Sequence, residues 1–172
     1  MPLNINGSND PYYRYKMDDI IIIYGGQGNG IFTIFNNVDQ ISDSLNTPSE
    51  ILIKYLSYHL NSNYNNKKKS FTGHHTIDFI NSGLFNYINS FVICTNCSIP
   101  ELFYSLDNKI INSKCSACGS NQNFNFNTKI DNKCIENISK YLIKKSWNIS
   151  KGNIILESKY DEIYNSINPF EN

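Results

Sequence analysis

Four cysteines are spaced to hold a metal ion. They form two pairs, Cys94-Thr95-Asn96-Cys97 and Cys115-Ser116-Ala117-Cys118, with residues 98–114 between them. The two-residue gap lets both thiolates of a knuckle face one ion while nearby backbone N–H groups face the sulfurs. Two knuckles then close a tetrahedral S4 shell. That shell leaves no position for water, so a zinc ion held there is expected to support structure and to do no chemistry. Two disulfides or a thiol redox pair would use the same residues. Disulfides are rare in the cytosol, and a redox C-x-x-C needs no second copy. The spacing therefore predicts a C4 zinc ribbon at Cys94, Cys97, Cys115 and Cys118. Its binding free energy, on the order of 10–16 kcal/mol, would be largely folding free energy. Cys134 is left over and reads as a buried thiol.

A second candidate is the only arginine. Lysine supplies every other basic side chain, and Arg14 sits inside the aromatic stretch Tyr12-Tyr13-Arg14-Tyr15-Lys16-Met17. A guanidinium presents a planar fork that an ammonium lacks. Arg14 could stack on Tyr13 or Tyr15 as an ordinary surface residue, or be offered to a partner's phosphate. The glycine-rich run 25–30 does not match a P-loop or G-x-G-x-x-G and reads as a hairpin turn, with Asn29-Gly30 as the tight pair. His74 and His75 are expected to cap or lie on the surface, since four cysteines already complete a site.

The elements that must position these groups follow from patterning. The first 11 residues are polar and read as a mobile tail. Residues 20–24 read as a buried strand and 31–35 as its hairpin partner. Val38, Ile41 and Leu45 share one face of a short helix. Thr47-Pro48-Ser49-Glu50 reads as a capping box opening a helix that buries Ile51, Leu52, Tyr55 and Leu56. Lys67-Lys68-Lys69 reads as a solvated charge run. Ile77, Ile80, Leu84, Ile88 and Phe91 recur at helical spacing over 76–91, so this helix should run stiffly into Cys94.

Within the ribbon, 102–106 and 109–113 predict a hairpin turning at Asp107-Asn108. Phe124 and Phe126 alternate with asparagines in a half-exposed strand; they could close the small core or stack on RNA bases. Residues 138–147 predict an amphipathic helix with Lys140, Lys144 and Lys145 outward, and 154–156 and 160–167 are short apolar sets. The expected class is α+β: a tail over 1–11, an α/β subdomain over 12–92 with its linking helix, the ribbon over 93–134, and a helical extension over 135–172.

The 172 residues carry no net charge. That argues against a strongly basic nucleic-acid wrapper while leaving room for a local basic patch. No apolar run reaches membrane-spanning length, and no charged-then-apolar leader opens the chain. A cytosolic, monomeric protein with no membrane contact is the expectation. Asparagine is so abundant that a compositional bias accounts for it, and no single asparagine stands out.

The order of several motifs adds a resemblance. Tyr13-Arg14-Tyr15-Lys16-Met17, Gly28-Asn29-Gly30-Ile31, Asn37-Val38-Asp39, Lys54-Tyr55, Phe91-Val92-Ile93-Cys94 and Cys115-Ser116-Ala117-Cys118-Gly119 follow one another. Over about 4–141 the chain resembles the N-terminal domain of the translation initiation factor 5 family, shared with the β subunit of initiation factor 2. The resemblance implies an α/β subdomain joined by a helix to a C4 zinc ribbon. It implies stimulation of GTP hydrolysis by initiation factor 2, whose γ subunit holds the GTP and Mg2+, on the small ribosomal subunit with initiator tRNA and mRNA.

It further implies that Arg14 acts as an arginine finger in trans, with Tyr13, Tyr15, Lys16 and Lys54 facing the partner. Two departures stand out: Phe32 falls where the family has a second lysine, and Asp18-Asp19 replaces a Pro-Arg pair. The family's full-length protein continues into a helical HEAT-like domain, whose roles are not carried over to this chain. A β-subunit-like binding module, or an RNA-binding zinc ribbon, is the competing expectation.

Overall fold

The computed structural model describes residues 2–122, 124 and 126–147. The class is α+β as expected. Two short strands, β1 (Leu3–Asn4) and β2 (Lys16–Met17), pair antiparallel with Leu3 opposite Met17. A four-stranded antiparallel sheet follows, in the order β3 (Ile22–Gly25), β4 (Phe32–Phe35), β6 (Ser70–Thr72), β5 (Tyr64–Asn65). Helices α1 (Val38–Ser44), α2 (Ser49–His59) and α3 (Ile77–Tyr87) supply the rest of its core. Phe35 and Phe71 from the sheet join Ile41, Leu52, Leu56, Ile80 and Leu84 there. The α3 helix continues through a π-helical turn, Ile88–Val92, directly into Cys94. The hairpin of β7 (Leu102–Asp107) and β8 (Ile110–Cys115) carries the cysteine knuckles. The last helix, α4 (Lys129–Lys144), packs on both α2 and β7.

The N-terminal residues are not a free tail. Ile5 is buried and its N–H donates to the Tyr15 carbonyl over 3.1 Å. The reason is Asn4, whose amide donates to the carbonyls of Ser8 and Asp10, each at 2.7 Å, and so folds 4–10 into a loop.

The strand expected to be buried is an edge strand. With helices over one face only, Ile21, Ile23 and Tyr24 are about half exposed, Ile20 goes into the core and Ile22 packs against it. Its turn is longer than a two-residue hairpin. Gly25 pairs with Phe32, and residues 26–31 form the loop around a 3-10 turn at Gly28–Gly30. The Phe32 ring lies over Gly25 where a Cβ would stand 2.5 Å from its Cζ. Gly26, at φ +80, faces the Gly30 carbonyl so closely that no side chain fits.

The capping box at Thr47 does not form. The Thr47 hydroxyl is hydrogen-bonded to the Tyr87 hydroxyl, and Pro48 occupies the cap position of α2 without a side-chain bond. Thr76 does cap α3, accepting from the Phe79 N–H, but Ile77 is 40% exposed and off the buried face. The ribbon hairpin turns one residue later than expected, at Asn108 and Lys109, both at positive φ. That is the backbone a tight two-residue hairpin demands.

The C-terminal helix starts well before 138. Thr128 caps it, accepting from the Asp131 N–H. Lys140, Lys144 and Lys145 are exposed as expected. The sets at 154–156 and 160–167 lie outside the described residues. Among the described residues no helix is long and apolar enough to cross a membrane.

Candidate functional site

Arg14 stands on a short extended segment whose side chains alternate. Tyr13, Tyr15 and Met17 turn inward, and Tyr12, Arg14 and Lys16 turn outward. Asp10 fixes the approach: its carboxylate accepts from the Tyr12 N–H at 2.9 Å and its carbonyl from the Tyr13 N–H at 3.2 Å. The Tyr13 and Tyr15 rings pack against each other with centroids 5.9 Å apart. The Tyr15 hydroxyl donates to the Glu101 carboxylate in the ribbon, which pushes its own pKa up to about 12. Lys16 is outward but engaged, donating to the Asn4 side-chain oxygen at 2.6 Å. Arg14 is exposed, and among the described residues no hydrogen bond or ion pair holds its guanidinium. An always-charged, five-donor group thus stands free, its neighbours in the chain being two inward-turned tyrosines.

Lys54 lies elsewhere. It is exposed on α2 and lines an open groove of about 500 Å³ with Asp39, Glu50, Ile53, Tyr64 and Lys69. Lys69 pairs with Asp39 at 3.9 Å on the same groove. Arg14 is not among the residues that line this groove. The lysine run is not wholly solvated either, since the Lys68 ammonium sits 5.1 Å over the Phe32 ring.

The four cysteines converge. Their Sγ atoms all lie within 4.8 Å of one another. Cys94 and Cys118 are 3.7 Å apart, as are Cys97 and Cys115. A tetrahedral ion with Zn–S bonds of about 2.3 Å requires sulfur–sulfur edges of about 3.8 Å, so the donor set and its dimensions fit a single zinc. Outer contacts orient the sulfurs. The backbone N–H of Asn96 and the amide of Gln122 donate to Cys94, each at 3.4 Å, and the Asn96 amide donates to Cys118 at 3.5 Å. Hydrogen bonds with Ser120 and Asn96 bring the Cys118 thiol down to about 5, while burial pushes Cys115 up to about 12. A dication at the centre would hold all four as thiolates.

Phe124 and Phe126 are half-buried and packed inward. Phe126 meets Phe91 at 4.9 Å and Phe124 meets Tyr104 at 6.1 Å between centroids. Cys134 is buried as expected, on the inner face of α4, and burial pushes its thiol far up. His75 is a surface residue bonded to the Thr72 carbonyl, and His74 stacks on Tyr24 at 4.3 Å.

Two residues of the Arg14 surroundings carried no prominent sequence signal. Tyr12 is 92% exposed beside Arg14, and the alternation that turns it outward was readable in principle. Glu101 was not, because its partner is 86 positions away.

Compared with known proteins, residues 6–121 match the family model for the domain found in initiation factors 2B and 5. The chain is 32% identical over 139 residues to eukaryotic translation initiation factor 5 of Dictyostelium discoideum, covering 80% of this chain and 35% of that protein. It is 33% identical over 144 residues to eukaryotic translation initiation factor 5 of Saccharomyces cerevisiae, covering 80% and 35%. To the probable eukaryotic translation initiation factor 5-2 of Arabidopsis thaliana it is 34% identical over 142 residues, covering 78% and 32%. The chain spans about a third of the length of these curated relatives.

Proposed function

This chain belongs to the family of the domain found in initiation factors 2B and 5, and on that premise we propose that it works in translation initiation as a GTPase activator with Arg14 as its arginine finger. The GTP and Mg2+ reside in the partner, the γ subunit of initiation factor 2, with the β subunit nearby. The setting is the cytoplasmic small ribosomal subunit carrying initiator tRNA and mRNA. The chain performs no turnover of its own. It lends one side chain to another protein's reaction.

The observation that carries this reading is the placement of Arg14: exposed, unpaired among the described residues, and turned outward between inward-turned Tyr13 and Tyr15. A fork presented in that way can spread over the charge developing on a γ-phosphate, and such fingers accelerate hydrolysis by roughly 10³–10⁵. Lys16 and Tyr12 flank it on the outward side. Lys54, in its separate groove, would serve a second contact with the same assembly. The four cysteines hold a structural zinc that keeps the ribbon folded.

Single-turnover GTP hydrolysis in the reconstituted initiation complex tests the finger. Arg14→Ala is expected to remove at least about a thousandfold of the stimulation while complex binding persists. Arg14→Lys should recover little, because an ammonium offers no bidentate contact. An unchanged rate with Arg14→Ala would leave a β-subunit-like binding module as the reading.

A further inference from the structure

We propose that Glu101 is a positioning residue for Arg14 and that it links the guanidinium to the four-cysteine site. This rests on the finger reading above. The backbone of Glu101 is fixed by the knuckles. Its carbonyl accepts from the Ser116 N–H at 2.9 Å, between Cys115 and Cys118, and its own N–H donates to the Ile99 carbonyl at 3.0 Å. That Ile99 carbonyl also accepts from the Cys94 N–H at 3.0 Å. One run of backbone bonds therefore passes from the first knuckle through Glu101 to the second.

The Glu101 side chain leaves this run and takes the Tyr15 hydroxyl. A phenol donating to a carboxylate makes a charge-assisted bond, about twice as strong as a neutral one. Among the described residues Glu101 makes no salt bridge that would compete for that carboxylate.

Tyr15 is then held at both ends. Its carbonyl accepts from Ile5 in the N-terminal loop, and its hydroxyl is held by the ribbon. Arg14 immediately precedes it on an alternating segment, so the direction in which Tyr15 points sets the direction in which Arg14 leaves. Freeing the Tyr15 hydroxyl would leave the segment held through its backbone alone, by Ile5, the β1–β2 pair and Asp10, and would widen the range of directions open to Arg14. A catalytic group displaced by about 1 Å loses on the order of a hundredfold in rate. The metal enters through the same route, since the bonds that fix the Glu101 backbone run between the two knuckles.

The test uses the zinc-loaded full chain with Tyr15→Phe, Glu101→Ala, Glu101→Gln and the double variant. Tyr15→Phe removes one oxygen and keeps the ring, so it reports even if Glu101→Ala misfolds. In single-turnover hydrolysis, Tyr15→Phe and Glu101→Ala should each lower the maximal stimulated rate on the order of ten- to a hundredfold. The half-saturating concentration should move less than about threefold. The double variant should be no worse than either single, and Glu101→Gln, which keeps an acceptor oxygen, should recover most of the rate.

Amide hydrogen exchange over residues 13–16 gives a second readout. It should quicken in Tyr15→Phe, in Glu101→Ala and on chelation of the metal, and not in Arg14→Ala. Full rates in Tyr15→Phe and Glu101→Ala, beside a dead Arg14→Ala, would overturn the positioning role and leave the finger standing. Should Arg14→Ala keep its rate, the finger falls. Exchange alone then decides the link: unaltered exchange overturns it and faster exchange sustains it.

Discussion

Trp147 donates its indole N–H to the carbonyl oxygen of Asn46 at 3.0 Å, across 101 positions of chain. Asn46 sits in the left-handed region, φ 52, in the turn between α1 and α2. The indole also meets the Tyr104 ring of β7 at 4.7 Å and the Tyr141 ring of α4 at 6.3 Å between centroids. One side chain thus fastens the end of α4 to the N-terminal helices and to the cysteine hairpin. In the first turn of α4, the Tyr55 hydroxyl of α2 donates to the Asp131 carboxylate at 3.2 Å. The helix after the ribbon is therefore a strut between the two halves, and a boundary at residue 134 would cut through it.

Replacing Trp147 should loosen that strut. The side chain is only 6% exposed, and Trp-to-Ala changes in cores cost about 3–5 kcal/mol. Trp147→Ala should lower unfolding stability by that order. Trp147→Phe should cost less, because it keeps a ring against Tyr104 and loses only the bond to Asn46. Denaturant titration followed by circular dichroism measures both. A change within about 0.5 kcal/mol for Trp147→Ala, the range of ordinary surface substitutions, would mean that α4 is not held there.

Metal removal should act on the ribbon first. Each knuckle sulfur has outer hydrogen bonds or burial, but four converging sulfurs stay thiolates together only around a dication; without it they take up protons and nothing ties the two knuckles together. Metal analysis is expected to find one zinc per chain. Chelation, or Cys94→Ser, should abolish the cooperative transition of β7 and β8 and expose Tyr104, whose hydroxyl is bonded to the Phe91 carbonyl at 2.9 Å. Tyr104 also touches Trp147, the chain's only tryptophan, so its fluorescence should change on chelation. A metal-free ribbon that stays folded would contradict the structural role.

Local pattern made much of this legible. The cysteine spacing gave the metal cluster, and the 3–4 periodicity of Ile80, Leu84, Ile88 and Phe91 gave a helix running into Cys94. Misreadings came where a distant partner claimed a side chain. Thr47 looked like a cap, yet Tyr87, 40 positions on, takes its hydroxyl. Asn4 and Asn37 vanished into the asparagine-rich background. Asn4 folds the loop ahead of Arg14, and Asn37 bonds both the Ile21 N–H and the Asp19 carbonyl at 2.8 Å. The α4 start was readable, because Thr128-x-x-Asp131 is a capping pattern. At the Arg14 site the arginine and its tyrosines were visible, while their inward and outward turns depended on the folded N-terminal loop.

The contact between α2 and α3 gives the sharpest test of packing. Gly83 of α3 lies against the His59 ring of α2; a Cβ there would stand 2.6 Å from His59 Cδ2, 2.9 Å from its Cγ and 3.0 Å from Leu56 Cδ2. Gly83 has ordinary helical backbone, so the constraint is the neighbour and not the conformation. Gly83→Ala should gain up to about 1 kcal/mol in helix propensity and lose about 1–3 kcal/mol to overpacking, for a net loss. The ring of His59 must yield, giving up its bond to Ser82 at 3.0 Å and its contact with Phe79 at 4.8 Å. Burial holds the His59 pKa below its ordinary value, so pushing the ring into water should raise it, which a proton NMR titration reads directly. A His59→Ala background removes the two closest of these contacts and leaves Leu56 Cδ2, the end of a flexible side chain, so Gly83→Ala should there be neutral or stabilising. Were Gly83→Ala alone to stabilise the chain with the His59 titration unmoved, the helices would not approach as closely as described.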